Sequence, residues 1–123
     1  MGFFERRQTP RVQPDPHHPV EVQVMGPGFL EIVEATDLGL GGVGFYLPHG
    51  VDGSLLNSPV EIVMTLPRAR PIHLRGVLCH LDAGSDPCRL GVRFARLPPK
   101  AEALIQRYVE LNAHRPYAPS MSE

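Results

Sequence analysis

The sequence predicts a mainly β fold, a six-stranded antiparallel β-barrel or sandwich followed by one C-terminal α-helix, and the barrel is favoured because closure removes exposed edges. Three observations predict it: 14 prolines and 12 glycines in 123 residues, segments in which apolar and polar residues alternate, and one closing segment with helical spacing. Prolines and glycines at this frequency favour short strands and turns over a helical bundle. The chain is long enough to bury the core of a single domain without disulfides or metals.

The barrel is expected over residues 19–97, after a flexible N-terminal arm at residues 1–18, which is polar and rich in proline. The six predicted strands are residues 20–24, 29–36, 43–47, 60–66, 72–81 and 88–97. Period-two alternation places one set of side chains inward: Val20, Val22, Val24, Val43, Phe45, Leu47, Val60, Ile62, Met64 and Leu66. Turns rich in proline and glycine separate these segments, and no helix is predicted between them.

The C-terminal helix is predicted over residues 98–114. The segment begins with two prolines, and Pro116 lies beyond its end, which is typical of helix boundaries. Helical spacing defines an apolar face consisting of Ala101, Leu104, Ile105, Tyr108 and Leu111. This face is expected to pack on the barrel or on a partner, and residues 115–123 are expected to form a disordered tail.

Charge and hydropathy exclude several classes of partner. The net charge of −1 gives no overall attraction to nucleic acids or anionic lipids, so no DNA or RNA partner is expected. No apolar run approaches the roughly 20 residues of a membrane helix, and no secretory signal is present, so no membrane insertion is expected. Cys79 and Cys88 are expected to be free thiols in a reducing compartment, which favours the cytoplasm.

The histidines and cysteines do not have the spacing of a metal site. Cys79, His80 and Cys88 supply only three possible ligands and lack a CxxC pair. No GxSxG motif is present, and no spacing indicates a Ser–His or Cys–His pair. We therefore expect no metal, no resident cofactor and no enzymatic activity.

A glycine-rich stretch, ATDLGLGGVGFY, contains a formal GxGxxG in Gly39, Gly41 and Gly44. A dinucleotide-binding turn would need a helix that begins at the last glycine. The residues that follow, FYLPHGVDGS, contain Pro48 and further glycines, which are unsuited to a helix interior. The stretch is therefore predicted to be a different kind of turn, in which glycines adopt positive φ and leave backbone N–H groups open to a ligand.

Two features on this background point to a ligand. Arg6, Arg7 and Arg11 lie within six residues, and guanidinium groups bind phosphates bidentately and match the O6/N7 edge of guanine. Asp37, at the glycine turn, can accept hydrogen bonds from the N1–H and N2–H₂ edge of guanine. Taken separately, the arginines also fit a solvated terminus and Asp37 also fits a turn cap. Together they suit a ligand that carries both guanine edges and phosphates.

The two motifs, in this order and on this strand pattern, resemble the PilZ domain family, the bacterial receptor module for cyclic di-GMP. The family's RxxxR motif, often doubled, reads RRQTPR over residues 6–11. Its [D/N]xSxxG motif reads DLGLGG over residues 37–42. The resemblance covers about residues 5–112, including the later LGVRF strand and the closing helix.

The resemblance implies roles for individual residues. Arg7 and Arg11 would bind phosphate and the Hoogsteen edge of guanine, Asp37 would contact a guanine, and Gly42 would allow the turn. Arg6, just before RxxxR, resembles the versions that take an intercalated dimer, which implies two cyclic di-GMP molecules per chain.

Gly39 departs from the family pattern, because it stands where the motif has serine. A serine hydroxyl can donate to a phosphate or to a base, and losing a hydrogen bond to a charged group costs about 1.5–3 kcal/mol. A water molecule in the vacated space can recover part of that contact. The substitution also accounts for the formal GxGxxG.

The resemblance implies a stand-alone cyclic di-GMP receptor that orders its arginine arm, residues 5–18, and presents a surface to an unidentified effector protein. Such a receptor would regulate motility or attachment. A second hypothesis is a PilZ-like adaptor that does not bind the nucleotide and acts only through protein contacts, which Gly39 supports. A third, a single-stranded nucleic-acid binder, would need surface aromatics in a basic groove, and the chain has no tryptophan.

Overall fold

The computed structural model describes residues 10–47, 53–82 and 88–117, and within these ranges the chain forms one antiparallel sheet and one α-helix. The strands are β1 (Arg11–Val12), β2 (Glu21–Gly26), β3 (Phe29–Glu34), β4 (Asp37–Gly39), β5 (Gly42–Leu47), β6 (Pro59–Thr65), β7 (Ile72–Asp82) and β8 (Cys88–Phe94). A 3-10 turn (Gly53–Leu55) precedes β6, and the helix α1 spans Pro99–Leu111. Arg6 and Arg7 lie outside the described residues.

The strand order is β1-β4-β5-β8-β7-β6-β2-β3, and every neighbouring pair is antiparallel. The last strand, β3, also lies against β5, so the sheet curls back on itself. The mainly β antiparallel fold with a C-terminal helix is confirmed. The predicted number of strands was wrong, because the described chain forms eight rather than six.

The core lies inside the curled sheet and consists of the side chains that alternation predicted. All ten predicted inward residues of the strands are buried. Burying apolar area is the dominant favourable contribution to folding, about 25 cal/mol per Å². Leu38, Leu78, Leu90 and Val92 complete the interior from the remaining strands.

The two additional strands come from segments that side-chain periodicity does not reveal. β1 lies inside the predicted flexible arm, where Arg11 pairs with Gly39 and Val12 with Leu38. The glycine-rich stretch forms both β4 and β5, which pair with each other. A strand of two or three residues is too short to show a period, and the partner of β1 lies far away in sequence.

The helix α1 is shorter than the predicted segment 98–114, and its buried face is rotated from the predicted one. Ala101, Ile105 and Tyr108 are buried as expected, but Leu104 and Leu111 are 39% and 64% exposed. Val109 is buried instead, which gives a face at spacing i, i+4, i+7 and i+8. The helix contacts β4, so this face packs on the chain's own sheet. None of the described helices is long and apolar enough to cross a membrane.

Residues Arg115–Tyr117, which we call the C-terminal segment, run along β1, although they were predicted to begin a disordered tail. Val12 forms an isolated bridge with Pro116. The backbone N–H of Gln13 donates to the Arg115 carbonyl at 2.8 Å, and the Tyr117 N–H donates to the Arg11 carbonyl at 2.9 Å. The C-terminal segment therefore covers the outer edge of the sheet at β1.

Candidate functional site

Asp37, the first residue of β4, is the centre of a buried cluster of charges. Its carboxylate is fully buried, and each of its two oxygens is paired with a different arginine. Arg11 donates from Nε to Oδ2 at 2.6 Å, and Arg89 donates from Nη2 to Oδ1 at 2.5 Å. The Thr36 hydroxyl donates to Oδ1 at 2.9 Å. A buried carboxylate needs such partners, because an unpaired charge in the interior is costly.

The three charged groups of this cluster leave a net positive charge. Two guanidiniums share one carboxylate, and the Arg11 side chain is 32% exposed whereas that of Arg89 is 8% exposed. A guanidinium carries five N–H donors, of which Arg11 uses only part on Asp37. The arrangement is therefore able to attract an anion and to donate hydrogen bonds to it through Arg11.

Strand register brings these residues together. Arg11 pairs with Gly39 on β4, and Asp37 pairs with Gly44 on β5, which in turn pairs with Gly91 on β8. A Cβ atom at Gly44 would clash with Asp37 Oδ1 and would lie 3.1 Å from Arg89 Nη2. Gly44 is thus required because the ion pair lies directly over its Cα atom.

Gly39 makes room for β1. A Cβ atom there would lie 2.6 Å from the Pro10 carbonyl oxygen and 3.0 Å from Arg11 Cγ. A serine at this position, which the family motif has, would therefore push β1 outward. The vacated space is filled by the protein's own arm.

The prediction that the glycines of this stretch adopt positive φ was wrong. Among the described residues, Gly28 is the glycine with positive φ. Gly42, a predicted binding residue, instead allows close packing, because a Cβ atom there would lie 2.5 Å from the Val92 carbonyl oxygen. The glycines at 39, 42 and 44 are therefore explained by close approach and not by turn geometry.

The structure brings Arg11, Asp37 and Gly39 together at one place. It adds two residues that sequence reasoning missed, Arg89 and Tyr117. The Arg89 guanidinium carbon lies 4.7 Å from the centre of the Tyr117 ring, a cation–π distance. No motif indicated either residue, because Arg89 lies 52 positions from Asp37 in sequence and Tyr117 stood in the predicted tail.

Burial favours the neutral forms of two groups near the cluster. Burial raises the pKa of the Cys79 thiol, which is free and donates to the Gly91 carbonyl at 3.5 Å. Burial also raises the pKa of the Tyr117 phenol, and the Arg89 guanidinium opposes that shift less strongly. Cys79 therefore behaves as a small strand residue, and Tyr117 presents a neutral ring to Arg89.

The fold and the cluster define a small β-domain in which an N-terminal arginine is docked on a buried aspartate of the sheet. The model of the PilZ domain family matches residues 5–111, so the chain belongs to the PilZ domain family, as the motifs predicted. The chain is 33% identical over 79 residues to the flagellar brake protein YcgR of Thauera aminoaromatica. That alignment covers 59% of this chain and 30% of the YcgR protein.

Solved structures show the same fold at lower identity. The inhibitor of motility MotI/DgrA of Bacillus subtilis matches with a TM-score of 0.71 at 16% identity, over 89% of this chain and 51% of that one. The PilZ domain of Escherichia coli YcgR, solved with c-di-GMP, matches with a TM-score of 0.68 at 21% identity, over 89% of this chain and 92% of that one.

Proposed function

We propose that this chain is a cytoplasmic receptor for cyclic di-GMP, a binding module rather than an enzyme, acting in the control of motility or attachment. The observation that carries the proposal is Arg11 held 2.6 Å from the buried Asp37. The two family motifs thereby meet in one net-positive cluster. Membership of the family and the likeness to a PilZ domain solved with c-di-GMP support the choice of ligand.

Binding would proceed by an exchange of partners at Asp37. Both carboxylate oxygens are occupied by arginines, so a guanine can reach them only when Arg11 leaves Oδ2. The N1–H and N2–H₂ groups of the base would then take its place, and Arg11, with Arg7, would bind a phosphate and the Hoogsteen edge. Asp37 would keep the same number of hydrogen-bond donors after the exchange, so its buried carboxylate would still have partners in the complex.

The remaining motif residues would set stoichiometry and fit. Arg6 would support two cyclic di-GMP molecules per chain, as the family resemblance implies. Gly39 would let the arm lie close to β4, and Gly42 would let β5 lie close to β8, so that the residues of the cluster stay together. Because residues from Arg11 onward are already docked through β1, the signal would be a rearrangement of the arm, read by an effector protein.

Isothermal titration calorimetry of the purified chain with cyclic di-GMP, with GTP as control, tests the proposal. We expect saturable binding at micromolar Kd or tighter, with two ligands per chain. Arg7→Ala combined with Arg11→Ala should remove it. The matched double variant, Arg70→Ala with Arg75→Ala, alters two exposed arginines away from the cluster and should bind as the wild type does.

A PilZ-like adaptor that does not bind the nucleotide is the second candidate. Two observations favour it: Asp37 has a full set of partners, and β1 fills the place of the motif serine's side chain. No heat with cyclic di-GMP at two temperatures, on a sample shown to be folded, would select the adaptor. Survival of the cellular function in the Arg7→Ala, Arg11→Ala variant would select it too.

A further inference from the structure

Arg89 has a hydrogen-bond donor that nothing in the described structure satisfies. Its Nη2 is bound to Asp37, but its Nε–H has no acceptor among the described residues, although the side chain is only 8% exposed. Buried donors are nearly always paired, because leaving one unpaired costs free energy. A buried arginine in this state therefore indicates a place where an acceptor from outside the chain can bind.

The ring of Tyr117 covers the face of this arginine. The distance of 4.7 Å from the ring centre to Cζ is that of a stacked guanidinium. A purine has a planar π surface of the same kind, and bases stack on arginine side chains in nucleotide-binding proteins. The position of the Tyr117 ring on Arg89 is thus one that a guanine base can take in its place.

The covering residue is tied to the strand that carries the motif arginine. The Tyr117 N–H donates to the carbonyl of Arg11, and the Gln13 N–H donates to the carbonyl of Arg115. These are bonds of a short edge pairing and not of the central sheet. A ligand that displaces the β1 backbone together with the Arg11 side chain would therefore also break the attachment of the C-terminal segment.

We propose that Arg89 is a further ligand-binding residue and that Tyr117 is its displaceable cover. A guanine of the ligand replaces the Tyr117 ring on the guanidinium, a phosphate oxygen accepts from Nε–H, and the C-terminal segment separates from β1. This inference rests on the proposed binding of cyclic di-GMP. It deepens that proposal by assigning a third arginine and a moving part.

Titration of Tyr117→Ala and Tyr117→Phe with cyclic di-GMP tests the cover. The alanine variant has no ring to displace, so its Kd should be about twofold to fivefold lower than that of the wild type. The phenylalanine variant keeps the ring and should match the wild type.

Arg89→Lys keeps a charge beside Asp37 but loses the flat surface and the Nε donor, so its Kd should rise roughly tenfold. Arg75→Lys, an exposed arginine of β7, is the control.

Amide hydrogen exchange gives a readout that does not depend on affinity. The backbone N–H groups of Gln13 and Tyr117 should exchange slowly in the ligand-free protein and faster with saturating cyclic di-GMP. An equal or higher Kd in a folded Tyr117→Ala variant, or unchanged protection of Tyr117 in the complex, would overturn this inference alone. Absence of binding in both the wild type and Tyr117→Ala would overturn the proposed function, and the inference with it.

Discussion

Two regions of the sheet bury their residues in different ways. We call strands β2 and β6 the alternating region, and strands β4 and β5 the covered region. In the alternating region every second residue is buried, as with Val22 and Val24 or Ile62 and Met64. In the covered region all three residues of β4 are buried, and so are five of the six in β5. Apart from the exposed Tyr46, the outward positions there are Asp37 and glycines; Arg11 and Arg89 pair with Asp37, and the β8 backbone lies close to Gly42.

The two burial patterns give different information about what covers the sheet. Alternation indicates a sheet surface with water on one side, and its inward residues follow from period alone. A run without alternation indicates that both faces are covered, and the covering groups come from distant parts of the chain. The candidate site lies in the covered region, where Arg11 and Tyr117 come from opposite ends of the described chain.

The largest expected effect comes from Asp37→Asn in the covered region. Loss of the charge leaves Arg89 buried without its counter-ion, which should lower the free energy of unfolding by about 3–5 kcal/mol. Adding Arg89→Met should restore a large part of that loss, because both members of the pair are then gone. Urea unfolding of the two variants measures this difference.

Ile62→Ala in the alternating region is the matched comparison. It should cost about 2–5 kcal/mol through the cavity it leaves, and no second substitution of a charged residue should rescue it. If Arg89→Met gave no recovery in the Asp37→Asn background, the two regions would not differ in the way described, and Asp37 would act through packing alone.

A smaller effect is expected from Gly39→Ser, which places a side chain between β4 and β1. The new Cβ atom meets the Pro10 carbonyl and Arg11 Cγ, so the two-residue strand β1 should detach while the core remains folded. Amide exchange at Gln13 and Tyr117 should become faster, with a cost of about 1–3 kcal/mol if the strand stays in place. Leu30→Ser, at an exposed position of β3, should leave both amides unchanged.

The smallest effect is expected from Tyr108→Phe in α1. The Tyr108 hydroxyl is buried and has no hydrogen-bond partner among the described residues, in contrast to the fully partnered Asp37. Removing it should leave stability unchanged or raise it by about 1 kcal/mol, measured as Tm. Tyr46→Phe, at an exposed tyrosine, is the control, and a clear loss of stability in Tyr108→Phe alone would show that the hydroxyl has a partner.

Sequence alone predicted the alternating region almost completely, because local periodicity decides which side chains face inward there. It also assigned Arg11 and Asp37 to one ligand through the order of the two motifs, but it did not predict their direct contact, because residues 1–18 were expected to be a flexible arm. It could not predict Arg89, Tyr117 or the role of Gly39. Those depend on strand register and on contacts between residues far apart in sequence, such as Asp37 and Arg89, which are 52 positions apart. Such contacts leave no trace in local spacing.

The pairing of Tyr117 with Arg11 has a practical consequence for anything joined to this domain. The two ends of the described chain lie side by side, and the Tyr117 nitrogen is 2.9 Å from the Arg11 oxygen. Any tag, linker or neighbouring domain is joined to this fold through segments that leave it next to Arg11 and Tyr117. Attachments at the two ends are therefore connected to the fold at neighbouring places. A ligand that separates Tyr117 from Arg11 would change the distance between these two places.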